Sequence, residues 1–92
     1  RYSLTDQIRR SSRSVCANIV EGFAKRKYEN VFKSGLNAAL GESEETKLWL
    51  DFAVDCGYLG EEKCAVIFCG YEQVGAMAWT LMKRWRALSQ TE

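Results

Sequence analysis

Two neighbouring runs of basic residues are the part of this 92-residue sequence best suited to binding a ligand. The first run lies on adjacent turns of a predicted helix, and the second is segment 24–28, AKRKY, which follows that helix. Guanidinium and ammonium groups at this density bind nucleic-acid phosphates well. The sequence therefore predicts an RNA- or DNA-binding surface formed by Arg9, Arg10, Arg13, Lys25, Arg26 and Lys27.

Carboxylates elsewhere in the chain offer another way to offset this positive charge, because like charges on adjacent helical turns destabilise a helix. Glu42, Glu44 and Glu45 lie in the middle of the next predicted helix. Both ends of the chain are mainly basic, whereas residues 34–76 are mainly acidic. Helices of opposite charge can pair within a chain or between subunits. The alternative to nucleic-acid binding is therefore a protein–protein scaffold or adaptor whose charges serve self-assembly.

A polar stripe accompanies the arginines on the first predicted helix, because its members recur every three or four positions. Asp6 and Arg10 have the spacing of an ion pair between successive turns. Asn18 is placed either to form a hydrogen bond to another helix or to present its amide to solvent or to an interface. The stripe, which we expect to lie in an interface, comprises Asp6, Gln7, Ser14, Asn18 and Glu21.

Two tryptophans in the basic C-terminal part of the chain offer faces on which nucleobases can stack. The spacing of the apolar residues nevertheless places Trp85 in the core. Trp79 is then expected at the surface or in an interface between proteins.

Catalytic and metal-binding chemistry finds little support in the sequence. There is no histidine, which excludes histidine general bases and histidine-containing zinc sites. Adjacent acids such as Glu61 and Glu62 point away from each other on a helix, and no phosphate-binding glycine loop is present. The cysteines lack the CxxC spacing of zinc or redox motifs, and lie at Cys16, Cys56, Cys64 and Cys69. We predict no catalytic residue, no metal and no cofactor.

Long helices are expected because the chain contains no proline. Apolar spacing predicts one helix over 4–23 with Ser3 as its cap, a second over 28–56, and a third after Gly60. Gly22 and Gly57 are expected to end the first two helices. The inward-facing positions predicted for the second helix are Phe32, Leu36, Ala39, Ser43, Thr46, Leu50 and Ala53. Those predicted for the third helix are Ile67, Tyr71, Val74, Ala78, Leu81, Trp85 and Leu88.

The composition, with 47% hydrophobic and 27% charged residues, is typical of a folded protein and predicts one domain over 1–92. No segment is apolar over the roughly 20 residues that span a bilayer, and the N-terminus lacks a signal-peptide core. We therefore expect a cytoplasmic, all-α protein that does not enter a membrane. Its architecture should be an antiparallel, up-down helical bundle. Oligomerisation is expected because the apolar residues exceed what three helices can bury.

Two spaced blocks of the first helix resemble a known family. LTDQIRRS at 4–11 and NIVEG at 18–22 are similar to blocks of the four-helix-bundle proteins encoded in bacterial 23S rRNA intervening sequences. ALGESEE at 39–45 and GYL at 57–59 extend the resemblance, which runs from Tyr2 to about Leu88.

The resemblance implies a homo-oligomeric bundle, with five-fold rings among the assemblies, and no enzymatic activity. The association of the family with rRNA inserts implies nucleic-acid binding, and relatives are accessory proteins of diversity-generating retroelements, whose partner is another protein. This chain departs from the family pattern in two ways. We expect the helix that precedes the first block to be absent here, either because it was lost from the chain or because a partner supplies it. Cys16 occupies a position that is usually small or proline-like.

Overall fold

Four helices form the fold in the computed structural model, which describes residues 3–91. They are α1 (Leu4–Ala24), α2 (Glu29–Asp55), α3 (Glu61–Lys83) and the single turn α4 (Trp85–Leu88). Within residues 3–91 there is no strand, so the predicted all-α class is confirmed. None of these helices is long and apolar enough to cross a membrane.

α1 begins where predicted and ends within one residue of the predicted end, but Gly22 is not its terminator. The Ser3 Oγ accepts a 3.1 Å hydrogen bond from the Asp6 backbone N–H, which caps the helix. Gly22 does not end α1, which continues to Ala24. Instead, Gly22 is buried where α1 crosses α2, and a Cβ atom added to Gly35 would lie 2.9 Å from the Gly22 Cα. The two glycines therefore permit close contact between the helix backbones.

α2 is the central helix, since the main contacts between helices are those of α2 with α1 and with α3. Ser11 lies opposite Thr46 and Gly22 lies opposite Gly35, so α1 and α2 run antiparallel. The seven predicted inward positions of α2 are all buried, with Phe32 completely so. The prediction for this helix is therefore confirmed along its whole length.

The turn after α2 uses the expected glycine. Gly57 has φ +77°, and its N–H donates to the Val54 carbonyl at 2.9 Å. The Tyr58 N–H donates to the Ala53 carbonyl, also at 2.9 Å. This pair of bonds is the Schellman motif, which satisfies the last carbonyls of the helix and needs a left-handed residue.

The inward face of α3 is displaced from the predicted one in its N-terminal half. Ile67 was expected to be buried but is 40% exposed, whereas Cys64 is buried with its Sγ 4.0 Å from the Leu50 carbonyl. The C-terminal half agrees better, because Ala78 is buried and the half-buried Leu81, Trp85 and Leu88 pack on the core. The core at this end is formed by Phe32, Leu36, Ala78 and Met82.

The third helix also ends earlier than predicted. α3 stops at Lys83, Arg84 leaves helical geometry with ψ 14°, and α4 adds a further turn. The resulting Cα envelope measures 47 × 28 × 17 Å, which is thin for three packed helices. Large apolar side chains stay exposed on it, including Val20, Tyr58, Val66, Met77 and Trp79. Oligomerisation, which would cover them, remains a prediction.

Candidate nucleic-acid interface

Arg26, one of the predicted binding residues, anchors the segment after α1 to the C-terminal end of the chain. The Trp85 indole Nε1 donates a 2.7 Å hydrogen bond to the Arg26 carbonyl. The Arg26 guanidinium donates to the Leu88 carbonyl at 3.2 Å and to Thr91 at 2.8 and 3.0 Å. It also lies 4.4 Å from the centre of the Phe23 ring. Arg26 therefore has a structural role in joining the two segments.

This anchoring brings two basic segments together at one end of the bundle. We define the basic end as Lys25, Arg26, Lys27, Lys83, Arg84 and Arg86. All except Arg26 are exposed, and Lys25 lies 3.8 Å from the Glu21 carboxylate. Within residues 3–91, none of the other four exposed cations has an ion-pair partner.

The C-terminal half of the basic end was not among the sequence-predicted site residues. The basic composition after residue 77 is a visible signal, but nothing local in the sequence links it to segment 24–28. That link depends on the contact between Trp85 and Arg26.

The arginine cluster of α1 lies elsewhere. About 1.5 Å of rise per residue separates Arg13 from Lys25 by about 18 Å along the helix. Arg10 pairs with Glu42, at 3.5 Å, and with Glu45, as the charge-compensation alternative predicted. The predicted surface of six cations is thus divided into two regions.

Arg9 and Arg13 remain exposed, one turn apart, and line a shallow depression on α1. Asp6 lines the same depression, but the predicted pair between Asp6 and Arg10 is wrong, because Arg10 turns towards α2. In the part of the chain that the structure describes, Arg9, Arg13 and Asp6 form no ion pair.

Two members of the polar stripe bond to each other within α1. The Asn18 amide donates to the carbonyl and hydroxyl of Ser14, at 2.8 and 3.2 Å, so its predicted bond to another helix is wrong. A buried hydrogen bond of 2.8 Å joins α1 to α2 elsewhere, between the Ser11 and Thr46 hydroxyls. Gln7 is half-buried and Glu21 is exposed. An interface along this stripe stays a prediction.

An acidic groove lies between α2 and α3 at the end of the bundle opposite the basic end. Its acidic lining residues are Asp51, Asp55, Glu61 and Glu72, and its apolar floor includes Val54 and Phe68. These four acids form no ion pair within residues 3–91. Cys64 and Cys69 also line the groove, but the described residues contain no group of three or more side chains suited to hold a metal ion.

Comparison with known proteins identifies the family. No curated protein and no solved structure shows a significant match to this chain. The family described as 23S rRNA-intervening sequence protein matches residues 1–80, which is most of the sequence. The match includes the blocks on α1, the middle of α2 and the turn at Gly57. The chain therefore belongs to the 23S rRNA-intervening sequence protein family.

Proposed function

We propose that this protein is a non-enzymatic helical-bundle protein that binds RNA or DNA, and that the basic end contacts the phosphates. The observation that carries the proposal is the anchoring of segment 24–28 to α4, which gathers six cations on one end of the bundle. The family description adds support, since it names a protein associated with inserts in ribosomal RNA. A cytoplasmic location belongs to the same proposal.

Unpaired cations matter here because a lysine already held by a carboxylate releases less free energy when it meets a phosphate. Lys27, Lys83, Arg84 and Arg86 are exposed and have no acidic partner within residues 3–91. Four phosphate contacts to a single strand give a slope of log affinity against log salt of about −3. Arg26 contributes through position, because it holds the two segments together.

The test is RNA and DNA binding across a salt series for wild type and two charge variants. Lys27→Ala/Lys83→Ala/Arg84→Ala removes three cations from the basic end. Each lost contact should reduce the salt slope by about 0.7, so the triple variant should reduce it by about 2. Arg9→Ala/Arg13→Ala is the control at the other end of α1 and should leave the slope unchanged. Absence of binding at low salt, or an equal loss in both variants, would contradict the proposal.

Self-assembly is a second candidate function, favoured by the charges at the other end of the bundle. Arg9 and Arg13 are exposed on α1, and the acidic groove lies on the far side of α2. Both lie in the half of the bundle away from the basic end, because Arg10 pairs with Glu45, and the groove residues Asp51 and Asp55 follow Glu45 on α2. Copies packed side by side in one orientation would bring the arginines of one copy to the acids of the next. Such a head-to-tail contact closes into a ring when the rotation between copies permits it; five-fold closure is one case.

Sedimentation of charge-reversed variants tests this assembly. Arg9→Glu/Arg13→Glu and Asp51→Lys/Asp55→Lys should each dissociate the oligomer, and mixing the two variants should restore mixed species. A wild-type monomer at all concentrations, or oligomers that tolerate both reversals, would exclude this interface.

A further inference from the structure

A groove between α2 and α3 joins an exposed indole to a buried hydroxyl group that lacks a partner. Trp79, on its wall, is 57% exposed. Ser43, also among its lining residues, is buried, and its Oγ forms no hydrogen bond within residues 3–91. Leu40 and Tyr71 complete the apolar lining of this cavity of about 300 Å³. We call it the Trp79 groove.

We propose that the Trp79 groove binds one unpaired nucleobase, which stacks on the Trp79 indole and places its polar edge towards Ser43. The proposal rests on the proposed function and specifies its ligand as single-stranded nucleic acid. Stacking on an aromatic side chain suits any base, because every base has a π-face. The Ser43 hydroxyl can donate or accept a hydrogen bond, so it recognises a base edge without selecting one base.

The position of the groove relative to the basic end supports a nucleotide as the ligand. Trp79 and Lys83 are four residues apart on α3, so they occupy one face, about one 5.4 Å turn from each other. A base on Trp79 would therefore have its phosphate near Lys83. Glu44, Lys47 and Glu72 line the opposite part of the groove, where Lys47 pairs with Glu44 at 2.5 Å. Two carboxylates against one ammonium group leave a net negative charge there, which disfavours phosphate. This polarity directs the strand from the groove towards the basic end.

Gly75 keeps the groove open. It lies between Tyr71 and Trp79 on the same face of α3, at spacings of four residues. A Cβ atom added to Gly75 would lie 3.5 Å from the Leu40 Cδ2, which is ordinary contact, and a longer side chain would extend into the groove. The absence of a side chain therefore leaves space for a flat group beside the indole.

A base within a duplex cannot occupy the Trp79 groove. The bases of a duplex are stacked on each other and their pairing edges are occupied, and the base edges in the deep major groove of an RNA duplex are inaccessible to side chains. Single strands, loops and unpaired ends present a free face and a free edge. The Trp79 groove is therefore selective for single strands, whereas the basic end contacts the phosphates of single strands and duplexes alike.

The experiment compares the binding of a single-stranded RNA 12-mer and a duplex of the same length to four proteins. These are wild type, Trp79→Ala, Trp79→Phe and the control Tyr58→Ala. Tyr58 is a more exposed aromatic, 78% accessible, at the α2–α3 turn far from the basic end. Circular dichroism checks the fold of each variant. Ultraviolet crosslinking of the single strand, followed by peptide mapping, gives an independent position for the base.

Trp79→Ala should weaken single-strand binding by roughly 5- to 150-fold, the loss that corresponds to one stacked base. Trp79→Phe should retain most of the affinity, Tyr58→Ala should retain all of it, and the crosslink should map to 64–83. Duplex binding should be the same in all four proteins. Unchanged single-strand binding in Trp79→Ala overturns the inference, and if binding stays salt-dependent the basic end is still supported. If wild type binds neither form, both proposals fail.

Discussion

The Trp85 indole Nε1 donates a 2.7 Å hydrogen bond to the Arg26 carbonyl, although 59 positions separate the two residues in the sequence. In the opposite direction, the Arg26 guanidinium donates hydrogen bonds to the Leu88 carbonyl and to Thr91. The segment after α1 and the end of the chain therefore hold each other by reciprocal bonds. The basic end is a product of this tertiary contact.

Trp85→Phe should lower the free energy of unfolding by about 1–3 kcal/mol, because it removes a hydrogen bond and leaves the half-buried Arg26 carbonyl unpaired. It should also weaken nucleic-acid binding, since Lys83 and Arg84 would no longer be held near Lys27. Urea unfolding and the salt series measure the two effects. Trp79→Phe is the matched control for stability, because Trp79 is mostly exposed. An equally stable Trp85→Phe protein would show that the anchoring is weak.

Gly35→Ala should destabilise the protein by about 1–3 kcal/mol through overpacking. The added methyl group would lie 2.9 Å from the Gly22 Cα and 3.0 Å from the Asn18 carbonyl oxygen, so the backbones of α1 and α2 must separate. Thermal or urea unfolding measures the change. Gly41→Ala on the same helix meets nothing within 4 Å and should stabilise by up to about 1 kcal/mol through helix propensity. Equal effects at both positions would argue against a close crossing.

Ser11 and Thr46 should show a coupling free energy of about 1 kcal/mol in a double-mutant cycle. Their hydroxyls are buried and 2.8 Å apart, and the Glu42 carbonyl, also 2.8 Å from the Thr46 Oγ1, is the alternative acceptor for the single hydroxyl proton of Thr46. Ser11→Ala, Thr46→Val and the double variant complete the cycle, with unfolding free energies as the measurement. Coupling near zero would mean that the Glu42 carbonyl alone satisfies Thr46.

The buried positions were predictable from the sequence where they follow a regular helical spacing. All seven buried positions of α2, from Phe32 to Ala53, were predicted. α2 packs on α1 and on α3, and its buried positions recur every three or four residues. The prediction failed on the part of α3 before Ala78, where the inward face includes Cys64 and Gly75 rather than large apolar residues. Small inward residues give a weak periodic signal, so the exposed Ile67 was taken for core.

The candidate site was predictable in composition but not in arrangement. Lys25 and Lys27 were identified from local charge density, and both are exposed at the basic end. The different roles of Arg10 and Lys27 could not be read from the sequence, because each lies in a dense basic run on α1 or shortly after it. Only the register of α1 against α2 shows that Glu42 and Glu45 face Arg10.

Arg10→Ala should change the stability by no more than about 1 kcal/mol, despite two acidic partners, because the Arg10 side chain is 52% exposed and solvent screens the pairs. Any loss should shrink at 1 M salt, where the screening length falls to about 3 Å. Unfolding free energies at low and high salt test this. Nucleic-acid affinity should stay unchanged, since Arg10 is already neutralised and lies away from the basic end. A clear loss of nucleic-acid affinity in Arg10→Ala would show that the arginine cluster of α1 is part of the binding surface.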